Sequence, residues 1–152
     1  MAGIRILLVD DHEVLRNNIR RLLAVDSDFS VVSEACSGFE AVRNAEEHQP
    51  DIVLLDISIP ELNGLQVAPL IKKVAPTSEI LFITQFDNPF FVREAFSAGG
   101  RGFLTKSDVG AELLTAIRTV YLKKEFVSRS VGNTSPDSKL QQPNATPAPS
   151  SD

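Results

Sequence analysis

The sequence predicts an α/β protein built on a parallel sheet that is buried on both faces. Four short apolar runs, Ile6-Leu7-Leu8-Val9, Ile52-Val53-Leu54-Leu55, Ile80-Leu81-Phe82-Ile83 and Gly102-Phe103-Leu104-Thr105, are separated by stretches of helical periodicity. A strand with one wet face alternates apolar and polar residues, whereas a strand covered on both faces reads as a continuous apolar run. A polar group also stands directly behind each run or at its end: Asp10-Asp11, Asp56, Thr84 and Lys106. In an open parallel sheet those groups gather outside the carboxyl ends of the strands, where such folds bind ligands.

The elements follow in order. The chain enters the first strand at Ile4, and Val14, Leu15, Ile19, Leu22 and Leu23 then recur at helical spacing. Val31 to Ala35 reads as the second strand, with Cys36 behind it as a small buried hydrophobe. Ser37-Gly38 opens a second helix whose stripe is Phe39, Val42 and Ala45. A third helix runs from Leu65 to Val74, and Pro69 predicts an irregular start to it, because proline lacks the N–H that a helix interior uses. Asp87-Asn88-Pro89 supplies a cap and a first-turn proline for the fourth helix, with Val92, Ala95 and Phe96 inward and Phe90 exposed. Asp108 is the expected cap of the last helix, whose buried stripe is Val109, Leu113, Ala116, Ile117 and Val120. Five βα units with right-handed crossovers place helices on both faces.

Composition narrows the function classes. A chain of 152 residues, 43% hydrophobic, buries one ordinary core. The formal charge of −5 argues against a nucleic-acid or membrane surface, since phosphate binding needs a basic face. No apolar run approaches the length of a membrane span, and the N-terminus leads straight into a strand, so a cytoplasmic protein is expected. The single cysteine excludes an internal disulfide. From Arg129 onward Pro136, Pro143, Pro147 and Pro149 stand among serines and no aromatic residue occurs. Such a segment buries too little apolar area to offset its ordering entropy. The expected organisation is therefore a domain over residues 1–128 and a disordered tail over 129–152.

The polar cluster has a chemical reading. Three carboxylates packed together repel, so one is neutralised by a raised pKa unless a cation sits among them. Mg²⁺ suits such a place, taking oxygen ligands from one or two carboxylates together with phosphate oxygens. Lys106 adds a point charge for a phosphoryl oxygen, and the Thr84 hydroxyl can donate to another. The cluster suits a phosphoryl group carried on a carboxylate. His12 beside the acidic pair reads as a surface residue at a helix start, because Mg²⁺ prefers oxygen.

These segments resemble the receiver domains of two-component response regulators. The resemblance runs from about Ile4 to Val127 and rests jointly on Asp10-Asp11, on Asp56-Ile57-Ser58-Ile59-Pro60 with Gly64 beyond it, on Thr84, and on Phe103-Leu104-Thr105-Lys106. It implies a flavodoxin-like (βα)5 three-layer sandwich with strand order 2-1-3-4-5. It implies Asp56 as phosphoacceptor, Mg²⁺ held by Asp11, Asp56 and the backbone carbonyl of Ser58, Asp10 acting mainly through water, and Lys106 against the phosphoryl group. Thr84 and Phe103 resemble the family's switch pair, with phenylalanine where tyrosine is usual. The implied partners are a sensor histidine kinase or phosphotransfer protein and a downstream protein target, with a homodimer on the face of the fourth helix, fifth strand and fifth helix. The chain departs from the family's habit at Gln85, where a small residue is common, and at Ser107, where proline is frequent.

Asp10-Asp11-His12 and Ala98-Gly99-Gly100-Arg101-Gly102-Phe103 look most like the subfamily that carries a DNA-binding helix-turn-helix behind the receiver, and the chain is expected to lack that domain. Two other readings stand beside the signalling one: the receiver part of a truncated DNA-binding transcriptional regulator, and a Mg²⁺-dependent aspartyl-phosphate phosphohydrolase. Ser58, two residues beyond Asp56, is a poor general acid, which favours a phosphoacceptor signalling domain over an enzyme.

Overall fold

A computed structural model describes residues 3–131. The chain alternates β1 (Ile4–Val9), α1 (Glu13–Ala24), β2 (Phe29–Ala35), α2 (Gly38–His48), β3 (Ile52–Leu55), α3 (Gly64–Val74), β4 (Glu79–Thr84), α4 (Pro89–Ser97), β5 (Gly102–Thr105), α5 (Val109–Tyr121) and β6 (Phe126–Val127). All strands pair in parallel in the order β2-β1-β3-β4-β5-β6. The predicted order 2-1-3-4-5 holds for the first five, and a sixth strand adds to the β5 edge.

The apolar runs are continuous because successive side chains leave opposite faces of a sheet that is covered on both sides. Leu7, Val9, Val53, Leu55, Ile80, Phe82 and Phe103 pack into the core layer that holds the inner residues of α2, α3 and α4. Ile6, Leu8, Ile52, Leu54, Leu81, Ile83 and Leu104 pack into the layer that holds those of α1 and α5. β2 lies at the sheet edge and is mostly half-buried, in keeping with its more polar sequence.

Several local expectations are corrected. Cys36 is exposed, because the chain has already left the edge strand there, and its thiol lies 3.5 Å from Glu40 Oε1. α2 packs through Gly38, Ala41 and Ala45, and Phe39 lies 62% exposed on its outer side. The small residues let α2 approach α3 closely: a Cβ at Gly38 would fall 2.9 Å from the side chains of both Leu62 and Val67. α3 starts regularly. Asn63 Oδ1 accepts from the Gln66 N–H at 2.9 Å, and Gln66 Oε1 accepts from the Asn63 N–H at 3.0 Å, a reciprocal cap that fixes the first turn and leaves Pro69 within the helix. Asp108 makes no side-chain cap to α5; its Oδ2 accepts instead from the Ser130 N–H at 2.8 Å.

The boundary of the folded unit also moves. Arg129–Val131, expected to open the tail, forms a 3-10 turn whose Val131 is 6% exposed in the α2–α4 core layer. The rest of the expected tail, 132–152, lies outside the described residues.

Candidate phosphoacceptor site

Strand register explains why the site assembles. Val9 pairs with Leu55 and Leu55 with Phe82, so β1 and β3 end level and Asp10 and Asp56 emerge side by side. The Asp56 N–H donates to the Val9 carbonyl at 3.0 Å and fixes that adjacency. β4 continues to Thr84, which pairs with Thr105, so Lys106 begins the loop at the same edge. The loop after Asp56 is held by Gly64, whose N–H donates to the Ile57 carbonyl at 2.7 Å. A Cβ at Gly64 would lie 2.4 Å from the Asp56 carbonyl oxygen, so the start of α3 rests directly on the backbone of the aspartate.

The side chains converge. Asp10 and Asp56 are almost fully buried, at 2% and 1% exposure. Lys106 Nζ stands between them, 3.3 Å from Asp10 Oδ2 and 3.1 Å from Asp56 Oδ2. Ligand atoms of Asp10, Asp11, His12 and Asp56 all lie within 4.8 Å of one another. The Ser58 N–H donates to Asp56 Oδ1 at 3.1 Å. Burial, and then repulsion from Asp10, push the Asp56 carboxyl up to about 6, against the opposing pull of Lys106 and the Ser58 N–H. One ammonium does not neutralise this group of carboxylates, and the donors are mainly carboxylate oxygens, a set that fits a hard divalent cation.

The Thr84 hydroxyl is buried and accepts from the Phe86 N–H at 3.3 Å, closing a small turn at the mouth of the site. Phe86 stacks on Phe91 with ring centroids 4.3 Å apart, and Phe91 meets Phe90 edge-on. Phe103 is fully buried in the α2–α4 core layer. Gln85 is exposed and borders, with His12, Val14, Leu15 and Lys106, an open cavity of about 700 Å³ beside the site.

Sequence reasoning placed His12 on the surface, and its ring is 62% exposed, but Nδ1 lies 3.0 Å from Asp10 Oδ1 and 3.3 Å from Asp11 Oδ1. It also missed Arg16, whose guanidinium donates to the Asp10 carbonyl at 2.5 Å and pairs with Glu34 at 3.1 Å. Arg16 stands one helical turn past His12. That periodicity was the only available signal, since nothing in the sequence pairs it with Glu34 on β2.

A doubly wound sheet that buries two aspartates against one lysine at its carboxyl edge has the chemistry to hold a divalent cation and a phosphoryl group. The chain belongs to the response regulator receiver domain family, whose model matches residues 6–118. It is 34% identical over 128 residues to the response regulator GacA of Pseudomonas viridiflava, covering 84% of this chain and 60% of that protein. A two-component response regulator of the LuxR family from Aurantimonas sp. SI85-9A1 has a similar structure, with a TM-score of 0.84, 32% identity, and coverage of 91% of this chain and 99% of that one. The signal receiver domain of the response regulator NarL from Mycobacterium tuberculosis superposes with a TM-score of 0.77 at 30% identity, over 82% of this chain and all of that one. The chain thus spans about 60% of the length of the curated relative GacA and the whole of solved receivers. It is a response regulator receiver domain, a family of phosphorylation-based signalling. Among the described residues no helix is long and apolar enough to cross a membrane.

Proposed function

We propose that the chain takes a phosphoryl group from a phosphohistidine of a partner kinase or phosphotransfer protein onto Asp56, and that the modified domain changes its protein contacts. The observation that carries this reading is the buried Asp56 carboxylate 3.1 Å from Lys106 Nζ, with Asp10 and Asp11 in the same cluster. One Asp56 oxygen attacks phosphorus, a P–O bond forms, and the bond to the donor's nitrogen breaks with its electron pair. Lys106 holds a phosphoryl oxygen through the transfer, so the protein acts by positioning and electrostatics. Asp11, Asp56 and the Ser58 backbone carbonyl would hold Mg²⁺, with Asp10 acting through water; the cation would neutralise charge on the transferring group. The cavity beside Lys106 gives the donor its approach, with Val14 and Leu15 as apolar contacts.

On this reading the Thr84 hydroxyl leaves the Phe86 N–H for a phosphoryl oxygen. The full burial of Phe103 means that any rotation of its ring has to be accompanied by repacking of the α2–α4 layer. Slow autodephosphorylation, with water attacking the acyl phosphate, returns the domain to rest. The cytoplasm is the compartment where such a kinase partner is met.

The test is incubation with acetyl phosphate and Mg²⁺ followed by intact mass. One added phosphoryl group is expected, and none for Asp56→Asn, whose amide is neither a nucleophile nor an anionic ligand. Equal labelling of the variant would refute the assignment. A second reading is the receiver portion of a longer DNA-binding regulator; the match covers 60% of GacA, which favours the longer protein but not its DNA binding, and the coding sequence around this segment decides it. The phosphohydrolase reading has less support, since Ser58 offers no general acid beside Asp56.

A further inference from the structure

After α5 the chain turns at Lys123, in the left-handed region at φ 66°, and runs back along β5 as β6. Each of the next four backbone N–H groups is tied down: Ser128 to the Phe103 carbonyl at 2.9 Å, Arg129 to Glu112 Oε1 at 3.0 Å, Ser130 to Asp108 Oδ2 at 2.8 Å, and Val131 to the Ser128 carbonyl at 3.1 Å. Two of the four acceptors, Phe103 and Asp108, belong to β5 and the segment behind it, and a third, Glu112, lies on α5. The side chains do the same. Ser128 Oγ accepts from the Thr105 N–H at 3.1 Å, and Ser130 Oγ lies 2.7 Å from Thr105 Oγ1, which also meets Ser107 Oγ at 3.1 Å and Asp108 Oδ2 at 3.2 Å. Ser128 and Thr105 are buried, and Val131 seats this turn in the core layer that contains Phe103. Lys106 reaches into the carboxylate site, while Thr105 before it and Asp108 two residues after it are bonded to the 128–131 turn.

We propose that residues 128–131 are a strap that registers the state of Asp56 through the Lys106 segment: the strap is closed while Lys106 is shared between Asp10 and Asp56, and it opens when a phosphoryl group draws Lys106 away. The inference rests on the phosphoacceptor reading. The bonds from Thr105 and Asp108 to Ser128 and Ser130 are short and directional, so a displacement of the 105–108 backbone toward the site breaks them rather than stretching them. The coupling is reciprocal: a strap that opens on phosphorylation disfavours the phosphorylated state while it is closed. Opening frees the chain at Val131 and passes the signal to whatever follows that residue.

The test is amide hydrogen exchange on the full chain before and after treatment with acetyl phosphate and Mg²⁺, with intact mass read on the same samples. In phosphorylated protein the amides of 128–131 are expected to exchange at least about fivefold faster, the low end of ordinary coupling between sites, while β1 and β3 stay protected. Complete phosphorylation with unchanged protection at 128–131 would overturn the strap and leave the phosphoacceptor reading intact. No added mass would overturn that reading and the strap with it. In a second measurement Ser130→Ala and Val131→Ser, neither at the phosphoacceptor site, are expected to bind beryllofluoride with Mg²⁺, a mimic of the phosphoryl group on Asp56, severalfold more tightly than wild type, and an affinity equal to wild type in both would also overturn the strap.

Discussion

Burial and the neighbouring Asp10 both oppose an ionised Asp56, and the consequence is measurable in stability. Its carboxyl titrates at about 6 in the fold, above the ordinary 3.8 of the unfolded chain. The unfolded state therefore ionises first, and stability falls as pH rises from about 4 to about 6, then stays low above that. Asp56→Asn removes the charge and is expected to stabilise metal-free protein at pH 8 by on the order of 1–3 kcal/mol, at about 1.4 kcal/mol per pKa unit, and so to raise its melting midpoint. The gain should shrink toward zero near pH 4, where wild-type Asp56 is already protonated. Thermal melts of the two proteins across this range check it; a constant difference at all pH values would mean that the charge is not the cause. Gly64 makes an independent demand. Gly64→Ala places a methyl against the Asp56 carbonyl and the Ile57 Cα, both backbone atoms that cannot rotate aside. The variant should lose about 1–3 kcal/mol, the usual range for overpacking, and take up phosphate more slowly because the Asp56 loop has to shift. Melting and phosphorylation rate that both match wild type would refute the close-packing argument.

At the scale of elements, the first turn of α4 and the loop before it border the mouth of the site. Asn88 caps the helix, its Oδ1 accepting from the Phe91 N–H at 3.2 Å, with Pro89 at the first position. Phe86 is turned into its stack on Phe91, which leaves Gln85 as the side chain of this loop beside Lys106 at the cavity. On the proposed phosphoacceptor reading Gln85 is placed to hinder water on its way to the acyl phosphate, and Gln85→Ala is expected to shorten the phosphorylated lifetime by a few-fold, less than the tenfold that about 1.4 kcal/mol of barrier represents. Decay followed by mass in excess chelator measures this; a longer-lived variant would mean that Gln85 orients the attacking water instead. The strands and the carboxylates they carry were legible in the sequence because a doubly covered strand writes a continuous apolar run and the aspartates stand at its end. Helix faces were less legible where small residues do the packing: the buried face of α2 is Gly38, Ala41 and Ala45, so its most hydrophobic residue, Phe39, misled. The α5 cap failed for a related reason. An aspartate at a helix start signals a cap, but the Asp108 carboxylate is claimed by Ser130, more than twenty residues away.

The whole molecule is stitched by such long-range contacts, and its C-terminal boundary shows where sequence reading stops. Two residues of β6 and three of the following turn are too few to produce periodicity, and serines beside a proline-rich segment read as tail. Yet the Asp108 carboxyl, which burial would raise, is held below the ordinary carboxylate range by the Ser130 N–H and hydroxyl together with Ser128 and Thr105. A chain ending at Ser128 and one ending at Val131 separate the folded turn from everything after it. The shorter chain loses the burial of Val131, worth about 1.5–3 kcal/mol for a side chain of this size, together with the hydrogen bonds of Arg129 and Ser130. Its melting midpoint at pH 7 should lie roughly 5–10 °C below that of the longer chain. The gap should narrow as pH falls through the carboxylate range, because a depressed carboxyl gives stability that is lost when it is protonated. Equal midpoints at pH 7 would show that the turn contributes nothing to the fold, and a gap independent of pH would assign the contribution to Val131 alone.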